Sequence, residues 1–148
     1  MISREARQER KEDVIAKAVT QAAFDLHREL GPGLLESVYE VLLADALISA
    51  GFAVERQKPI PIHFRKKSFD EGFRADLIVD SLVLVELKSI ESLARVHRKQ
   101  VLTYLRLSGL KLGLLINFGG DLLKGNIERL VNGLEEDLAL STQSPPSF

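Results

Sequence analysis

The segment RADLIVDSLVLVELK (residues 74–88) decides the fold and carries the sharpest chemical signal in the chain. The segment contains two largely apolar runs, separated by a short polar interval near Asp80 that is typical of a turn between two strands. We therefore predict a strand over 73–79, a turn over 80–82 and a second strand over 83–88.

Each of these two strands carries charge inside an apolar run. Glu86 and Lys88 are separated by one leucine, so they share one face of the sheet, because side chains alternate along a strand. A three-residue turn would pair Val79 with Val83. Asp76 would then lie opposite Glu86 on that face, with about 5 Å between their Cβ atoms. A two-residue turn would put the carboxylates on opposite faces, so the site requires the longer turn or an equivalent bulge.

Two carboxylates at this spacing favour a metal site. Buried carboxylates without partners are costly, and the repulsion between Asp76 and Glu86 becomes coordination if Mg²⁺ or Mn²⁺ lies between them. A metal there can promote hydrolysis of a phosphodiester by water. Lys88 could orient the water or stabilise charge on the phosphate. The alternative is a structural ion pair at the sheet rim, Glu86–Lys88 or Asp76–Arg74, and the pattern alone leaves both open.

Two helices are predicted ahead of these strands. Apolar residues recur at helical spacing over 9–30 and over 34–50. Gly31 and Gly33 end the first helix and turn the chain, and Gly51 ends the second helix. We expect each helix to face the core through one apolar stripe. The stripes are Ile15, Val19, Ala22, Leu26 and Leu30 in the first helix, and Leu34, Leu35, Val38, Leu42, Ala46 and Leu47 in the second.

The remaining pattern completes an α/β fold. It predicts a bent edge strand or two short strands over 52–64, because prolines are tolerated at sheet edges. It also predicts a helix over 93–108, a buried strand over 111–118 and a last helix over 121–138. The expected architecture is a mixed β-sheet flanked by helices, with an N-terminal helical hairpin. We expect one domain over 1–138 and a disordered polar tail over 139–148.

Composition narrows the classes of function. The 148 residues suit one hydrophobic core, and the absence of cysteine excludes disulfides, thiolate catalysis and cysteine-ligated metals. The N-terminus lacks the apolar segment of a signal peptide and no run is long enough for a membrane span, so we expect a cytoplasmic protein. With a formal net charge of −1, nucleic acid would have to be held locally or through a metal. Basic clusters over 56–67 and 95–99 are interpreted as solvated surface.

Side chains on the helices are further candidates. Glu36 opens the second helix, where the helix dipole alone also favours an acid, and Tyr39 is expected in the core. Gln100 and Tyr104 are neighbours on the third helix, and Gln100 either reaches the site or bonds to backbone. His97 is a candidate phosphate contact, with a surface histidine as the simpler interpretation.

Several ordered motifs resemble those of the bacterial GxxExxY proteins. They are GLLESVY (33–39), RADL (74–77), VELK (85–88), QVLTY (100–104) and GLLINF (113–118). The likeness runs from about residue 15 to residue 134. The GxxExxY proteins are placed in the PD-(D/E)xK nuclease superfamily, so the resemblance implies a restriction-endonuclease-like core.

The resemblance also implies roles for the site residues. Asp76 and Glu86 would be metal ligands, Lys88 the catalytic lysine and Glu36 the supporting helix acid that joins the metal ligands. Ala75 stands where the superfamily usually has a proline, a small departure from the motif.

Two helix residues have counterparts in a related group of nucleases. Gln100 and Tyr104 resemble the Q-x-x-x-Y element of RecB-like nucleases, which lies beside the active site. Gln100 would thus join the catalytic set, with Tyr104 and Tyr39 in supporting positions.

The expected function is a Mg²⁺- or Mn²⁺-dependent nuclease or nuclease-like phosphodiesterase that hydrolyses DNA. A catalytically silent module that binds nucleic acid or a protein is the first alternative, since fold does not determine function. A phosphoesterase for a small molecule is the second, and it would need a narrow, closed pocket. The expected partner is nucleic acid, DNA in particular, and not a membrane; a homodimer built on the first helix is left open.

Overall fold

The computed structural model describes residues 9–134, which form three helices and five strands. The helices are α1 (Lys11–Leu30), α2 (Glu36–Ser49) and α3 (Arg95–Ser108). The strands are β1 (Val54–Phe64), β2 (Lys67–Val79), β3 (Val83–Lys88), β4 (Leu112–Asn117) and β5 (Ile127–Val131). Over this range no helix combines the length and the apolar character that crossing a bilayer requires.

One mixed sheet contains all five strands in the order β1-β2-β3-β4-β5. β3 and β4 run parallel because α3 carries the chain back between them, and all other neighbours are antiparallel. β1 lies at the edge, as Pro59 and Pro61 predict. The predicted mixed sheet and the predicted helical hairpin are confirmed.

The sheet separates two apolar layers. α1 and α2 cover one face, where Leu77 and Val85 lie, and α3 covers the other face, where Ile78 and Leu84 lie. Every residue of β4 is buried, as its continuous apolar run predicts. Glu86 and Lys88 are therefore carried by a central strand whose position both layers fix, and Asp76 by its neighbour β2.

The predicted buried face of α2 is wrong. Leu34, Leu35 and Val38 are exposed and Leu42 and Ala46 are only partly buried, so Leu47 is the one predicted position that is buried as expected. The other buried residues are Tyr39, Glu40, Leu43 and Ala44. Apolar residues occur all around this helix, so spacing alone cannot select a face. Contact with the sheet selects it, since the Tyr39 ring stacks on Phe118 with 4.3 Å between centroids.

The buried face of α1 is rotated from the predicted stripe by a smaller amount. Ile15 and Val19 are buried as expected, while Ala22 and Leu26 are only partly buried and Leu30 is exposed. The other buried positions are Ala16, Ala23 and His27. His27 is tolerated there because its ring Nε2 lies 2.9 Å from the carbonyl oxygen of Gly120.

The predicted last helix is also wrong within the described residues. The chain turns after β4 and returns as β5, which pairs antiparallel with β4 and places the buried Leu130 opposite Gly113. The apolar residues in this short segment fit a helix and a strand about equally. The segment forms a strand because β4 would otherwise leave the hydrogen-bonding groups of one edge unpaired. Residues 135–138 of the predicted helix and the predicted tail over 139–148 lie outside the described residues.

The turn after β4 fixes the end of β3. Phe118 N–H donates to the Lys88 carbonyl at 2.8 Å, and Asn117 Oδ1 accepts the N–H groups of Ile90 and Gly119 at 3.0 Å each. A Cβ at Gly119 would lie 2.2 Å from the Ile90 carbonyl oxygen. Only glycine allows this approach, which immobilises the backbone immediately after Lys88.

Gly119→Ala should destabilise the protein by roughly 2–3 kcal/mol, because the added methyl group must displace backbone rather than a side chain. Gly113→Ala is the matched control, since its Cβ would meet only side-chain atoms of Val101 and Leu105 at 3.0 Å and 3.3 Å. That variant should lose about 1 kcal/mol or less. Urea unfolding of both proteins measures the difference, and equal losses would contradict the prediction.

Candidate active site

The turn between β2 and β3 has three residues, which confirms the predicted register. Val79 pairs with Val83, and Asp80 and Ser81 adopt left-handed backbone conformations with φ of 50° and 57°. Asp80 Oδ1 accepts the Ala53 N–H at 2.8 Å and so ties the turn to the start of β1. Continuing this register places Asp76 opposite Glu86.

Backbone pairing of β2 and β3 stops one residue before this position, at Leu77 and Val85. Side chains take over the bonding beyond it. Glu86 Oε1 accepts the Asp76 N–H at 3.1 Å, and Asp76 Oδ2 accepts the Leu87 N–H at 2.8 Å. Each carboxylate therefore occupies the place of a backbone carbonyl, and the two acidic side chains are brought together as predicted.

Burial makes this pair electrostatically unfavourable. Glu86 is 6% exposed, and burial, followed by the negative charge of Asp76, raises its pKa to about 8. Burial also raises the pKa of Asp76, although the bond from Leu87 N–H opposes that shift. The Lys88 charge lowers the pKa of Glu86, but by less than burial raises it. The surroundings of the pair therefore disfavour the presence of two negative charges here.

The alternative of a structural ion pair is not supported. Within residues 9–134 neither Asp76 nor Glu86 forms a salt bridge with a lysine or arginine. Arg74 binds Glu71 through two hydrogen bonds instead. The two carboxylates are thus hard oxygen donors whose charges are free to attract a cation.

Glu36 does not complete a three-carboxylate metal cluster. No group of three or more His, Cys, Asp or Glu side chains in the described part of the chain could hold a metal ion. Glu36 is exposed and its Oε1 accepts the Ser89 N–H at 3.4 Å, although its charge does contribute to raising the pKa of Asp76. A pair of carboxylates still fits Mg²⁺, which commonly uses one or two carboxylates and keeps several waters.

A second buried acid, Glu40, is linked to Asp76 and was not predicted. Gln57 Nε2 donates to Glu40 Oε1 at 2.6 Å and to Asp76 Oδ1 at 3.2 Å, so one amide bridges the two carboxylates. Arg56 donates two bonds to Glu40 Oε2, at 3.2 Å and 3.0 Å. Gln57 has φ of 50°, an uncommon left-handed conformation for a side-chain-bearing residue.

The sequence contains a signal for part of this network. Glu40 is a charged residue flanked by Tyr39 and Val41 in α2, and Arg56 and Gln57 reach it from the edge strand β1. The register also places Gln57 directly across from Asp76, because its neighbours Arg56 and Lys58 pair with Leu77 and Ala75. That register depends on the length of the β1–β2 turn, which the sequence left open.

The candidate residues of α3 belong to the helix that covers the opposite face of the sheet from Glu40 and α2. Gln100 is exposed. It lines an open cavity of about 560 Å³ together with Lys88, Val96, His97, Lys99 and Thr103. Since Val96, Lys99 and Gln100 are themselves exposed, this cavity is not the narrow, closed pocket of the small-molecule alternative.

Tyr104 lies close enough to the carboxylates for their charges to act on it. Its ring stacks on Phe73 with 3.9 Å between centroids. Burial, and then the charges of Glu86 and Asp76, raise the pKa of Tyr104. His97, by contrast, uses its ring Nδ1 to accept the Ala94 N–H at 2.9 Å at the start of α3.

Tyr39 holds the loop before α2. Its hydroxyl donates to the Gly31 carbonyl at 2.5 Å and accepts the Leu34 N–H at 3.3 Å. Ser89 Oγ donates to the Leu34 carbonyl at 2.6 Å, so the same loop is tied to the end of β3. Tyr39 is thus a structural support for the loop that precedes Glu36.

Comparison with known proteins agrees with this geometry. A model of the PD-(D/E)XK nuclease superfamily matches residues 13–130, which include every candidate site residue. The mixed sheet with three helices is consistent with the restriction-endonuclease-like core of that superfamily. No significant match was found among curated proteins or among solved structures.

The free energy of unfolding of the metal-free protein should fall as pH rises from about 5 to about 8. The pKa of Glu86 is about 8 in the folded protein and 4.5 ordinarily, so over this range the folded state retains a proton that the unfolded chain has lost. Glu86 alone accounts for at most about 1.4 kcal/mol per pH unit.

Urea unfolding in EDTA at several pH values measures this slope. Glu86→Gln removes the titrating group and should flatten the dependence. If the wild-type protein gained stability across the same interval, Glu86 would not have a raised pKa.

Proposed function

The chain belongs to the PD-(D/E)XK nuclease superfamily, and from that premise we propose that it is a divalent-metal-dependent nuclease that hydrolyses phosphodiester bonds in DNA. One observation carries the proposal: the half-buried Asp76 and the buried Glu86 lie together beside Lys88, with no salt bridge to neutralise them among the described residues. Superfamily membership supports nucleic acid as the substrate, and DNA is our specific proposal.

Asp76 and Glu86 would hold the metal, Mg²⁺ or Mn²⁺. Bound there, the ion supplies positive charge that offsets both carboxylates and polarises the phosphate. The residues fit this role because each carboxylate bonds to the backbone beside the other, and because burial, with neighbouring negative charge, raises both pKa values. A bound cation would lower both pKa values and keep both groups ionised at neutral pH.

Lys88 and Gln100 would act on the substrate. Both line the open cavity beside the carboxylates, so a phosphodiester entering it meets the Lys88 ammonium and the Gln100 amide. Lys88 would stabilise charge that develops on the phosphate. Glu36 is assigned a positioning role at Ser89, immediately after Lys88, rather than direct coordination.

Within the superfamily we propose placement among the GxxExxY proteins. Gly33, Glu36 and Tyr39 supply the signature, and a physical role is available for each. Gly33 has φ of 105°, which side-chain-bearing residues rarely adopt, Glu36 bonds the Ser89 backbone and Tyr39 holds the loop between them.

Purified protein should cleave DNA in Mg²⁺ or Mn²⁺ but not in EDTA. Glu86→Ala and Lys88→Met should each reduce the rate at least about 100-fold, since each removes a group that acts on the transition state. Single-stranded, double-stranded and branched DNA are compared. Asp45→Asn, an exposed acid on α2 away from the site, is the control and should cleave like wild type. Equal cleavage by all the variants would identify a contaminant and refute the proposal.

A binding module without catalysis is the competing function. It is favoured by the lack of a three-carboxylate cluster in the described residues and by the net charge of −1. Titration calorimetry with Mn²⁺ separates the two: heat that is lost in Glu86→Ala supports the enzyme. Absence of that heat, together with tight binding of nucleic acid or protein, supports the module.

Gln57→Leu should weaken Mn²⁺ binding by roughly 10–100-fold, because groups that orient metal ligands contribute effects of that size. The substitution frees Asp76 Oδ1 and removes the amide between two negative charges. Gln57→Asn keeps an amide and tolerates the left-handed backbone, so it should lose less. Calorimetry gives the dissociation constants, and equal affinities for all three proteins would show that Gln57 does not position Asp76.

A further inference from the structure

β1 and β2 continue as a two-stranded hairpin past the end of the central sheet. β2 pairs with β3 only from Leu77 to Val79, whereas it pairs with β1 as far as Phe64 and Lys67. We call residues 62–69, at the end of this hairpin, the arm. No third strand accompanies the arm within the part of the chain that the structure describes.

The arm is positively charged although the chain as a whole is not. Arg65 and Lys66 form its turn, Lys67 opens β2 directly after it, and residues 62–69 contain no carboxylate. All three cations are exposed. A local charge of +3 on a projecting turn is suited to contact a polyanion, despite the overall charge of −1.

Two aromatic rings are exposed on the same element. Phe64 is 62% exposed and Phe69 is 53% exposed. Ile62 pairs with Phe69 and Phe64 pairs with Lys67, so alternation places both rings on one face of the arm. The Arg65 guanidinium lies 5.1 Å from the centre of the Phe64 ring, which combines a cation with a stacking surface.

The direction of the arm is set by a bulge at its base. The register of β1 against β2 shifts between Ile60 and Ile62. Ile62 packs over Gly72 so closely that a Cβ there would lie 2.0 Å from Ile62 Cδ1. Bulges bend the strand that carries them and fix where its side chains point.

The aromatic face of the arm continues to the proposed active site. Ile60 and Phe73, paired at the base of the arm, belong to the apolar layer beneath α3. Phe73 stacks on Tyr104, whose ring lies within the electrostatic influence of Glu86 and Asp76. A strand of nucleic acid on this face would lead from the arm towards the carboxylates.

We propose that the arm binds a nucleic-acid strand with unpaired bases, its three cations contacting phosphates and Phe64 and Phe69 stacking on bases. Aromatic side chains interleaved with cations are the usual surface for single strands, because every base presents a face for stacking. The inference rests on the proposed function and specifies its substrate as single-stranded or frayed.

Binding is measured without cleavage, by fluorescence anisotropy of a labelled oligonucleotide in EDTA. One variant carries Arg65→Gln, Lys66→Gln and Lys67→Gln together, and a second carries Phe64→Thr and Phe69→Thr. The control carries Lys11→Gln, Lys111→Gln and Lys124→Gln, which removes the same charge from exposed positions elsewhere. Circular dichroism melting confirms that each variant is folded.

The charge variant should bind single strands at least about 10-fold more weakly, and its salt slope should fall by about 2, since each lost phosphate contact removes about 0.7. The aromatic variant should lose about 10-fold or more with an unchanged salt slope, and should lose less on a blunt duplex. The control should bind like wild type.

Wild-type affinity in both arm variants, or an equal loss in the control, would overturn the proposal. So would a wild-type protein that ignores oligonucleotides but binds phosphatidylserine vesicles through the arm. Arm-dependent binding without any metal-dependent cleavage would refute the proposed function alone. Cleavage by a protein whose binding does not depend on the arm would refute the arm alone.

Discussion

Two carboxylates, the half-buried Asp76 and the buried Glu86, take the place of backbone carbonyls where β2 and β3 separate, and the surrounding structure must hold them against their own repulsion. Burial and mutual charge disfavour ionisation of Asp76 and Glu86, as the raised pKa of Glu86 records. Two backbone N–H groups oppose this by donating to the carboxylates at 3.1 Å and 2.8 Å. Strong bonding to backbone fixes the side chains while leaving their net charge uncompensated, which is the condition under which a divalent ion gains most on binding.

Each layer of the fold restrains this pair from a different direction. The turn after β4 immobilises the backbone beyond Lys88 through Asn117 and the close approach of Gly119 to Ile90. From the helical hairpin, Glu40 holds Gln57 against Asp76 across the sheet edge. From α3, Tyr104 closes the opposite side. The carboxylates are thus held by contacts from residues that are distant in the sequence.

The strand pair and its turn were predictable because period-two alternation and turn length together determine register. The identity of Asp76, Glu86 and Lys88 as neighbours followed from that local rule. The buried face of α2 was not predictable, since its apolar residues surround the helix and only the stacking of Tyr39 on Phe118 selects a side. Glu40 and Gln57 were missed for a related reason, since their contact joins residues 17 positions apart. The position of Gln57 across from Asp76 also depends on the register of β1 against β2, which the sequence left open. The strand β5 was not predictable from its own residues, because its formation depends on the unpaired edge of β4.

The proposed function also raises an electrostatic problem that local charge resolves. A phosphodiester approaching Asp76, Glu86 and Glu40 is repelled by them, and a chain with net charge −1 provides no general attraction. In the proposed function this attraction would come from cations placed where the substrate passes: a metal held by the carboxylates, Lys88, which lines the open cavity, and the three cations of the arm. Lys67 and Asp76 lie nine residues apart along β2, roughly 25–30 Å at the rise of a strand. Because exposed charges more than about 8–10 Å apart are largely screened at physiological salt, the arm and the site would act on different phosphates. Positioning of the strand and reaction at the phosphate are then separate tasks, which different residues of one small sheet carry out.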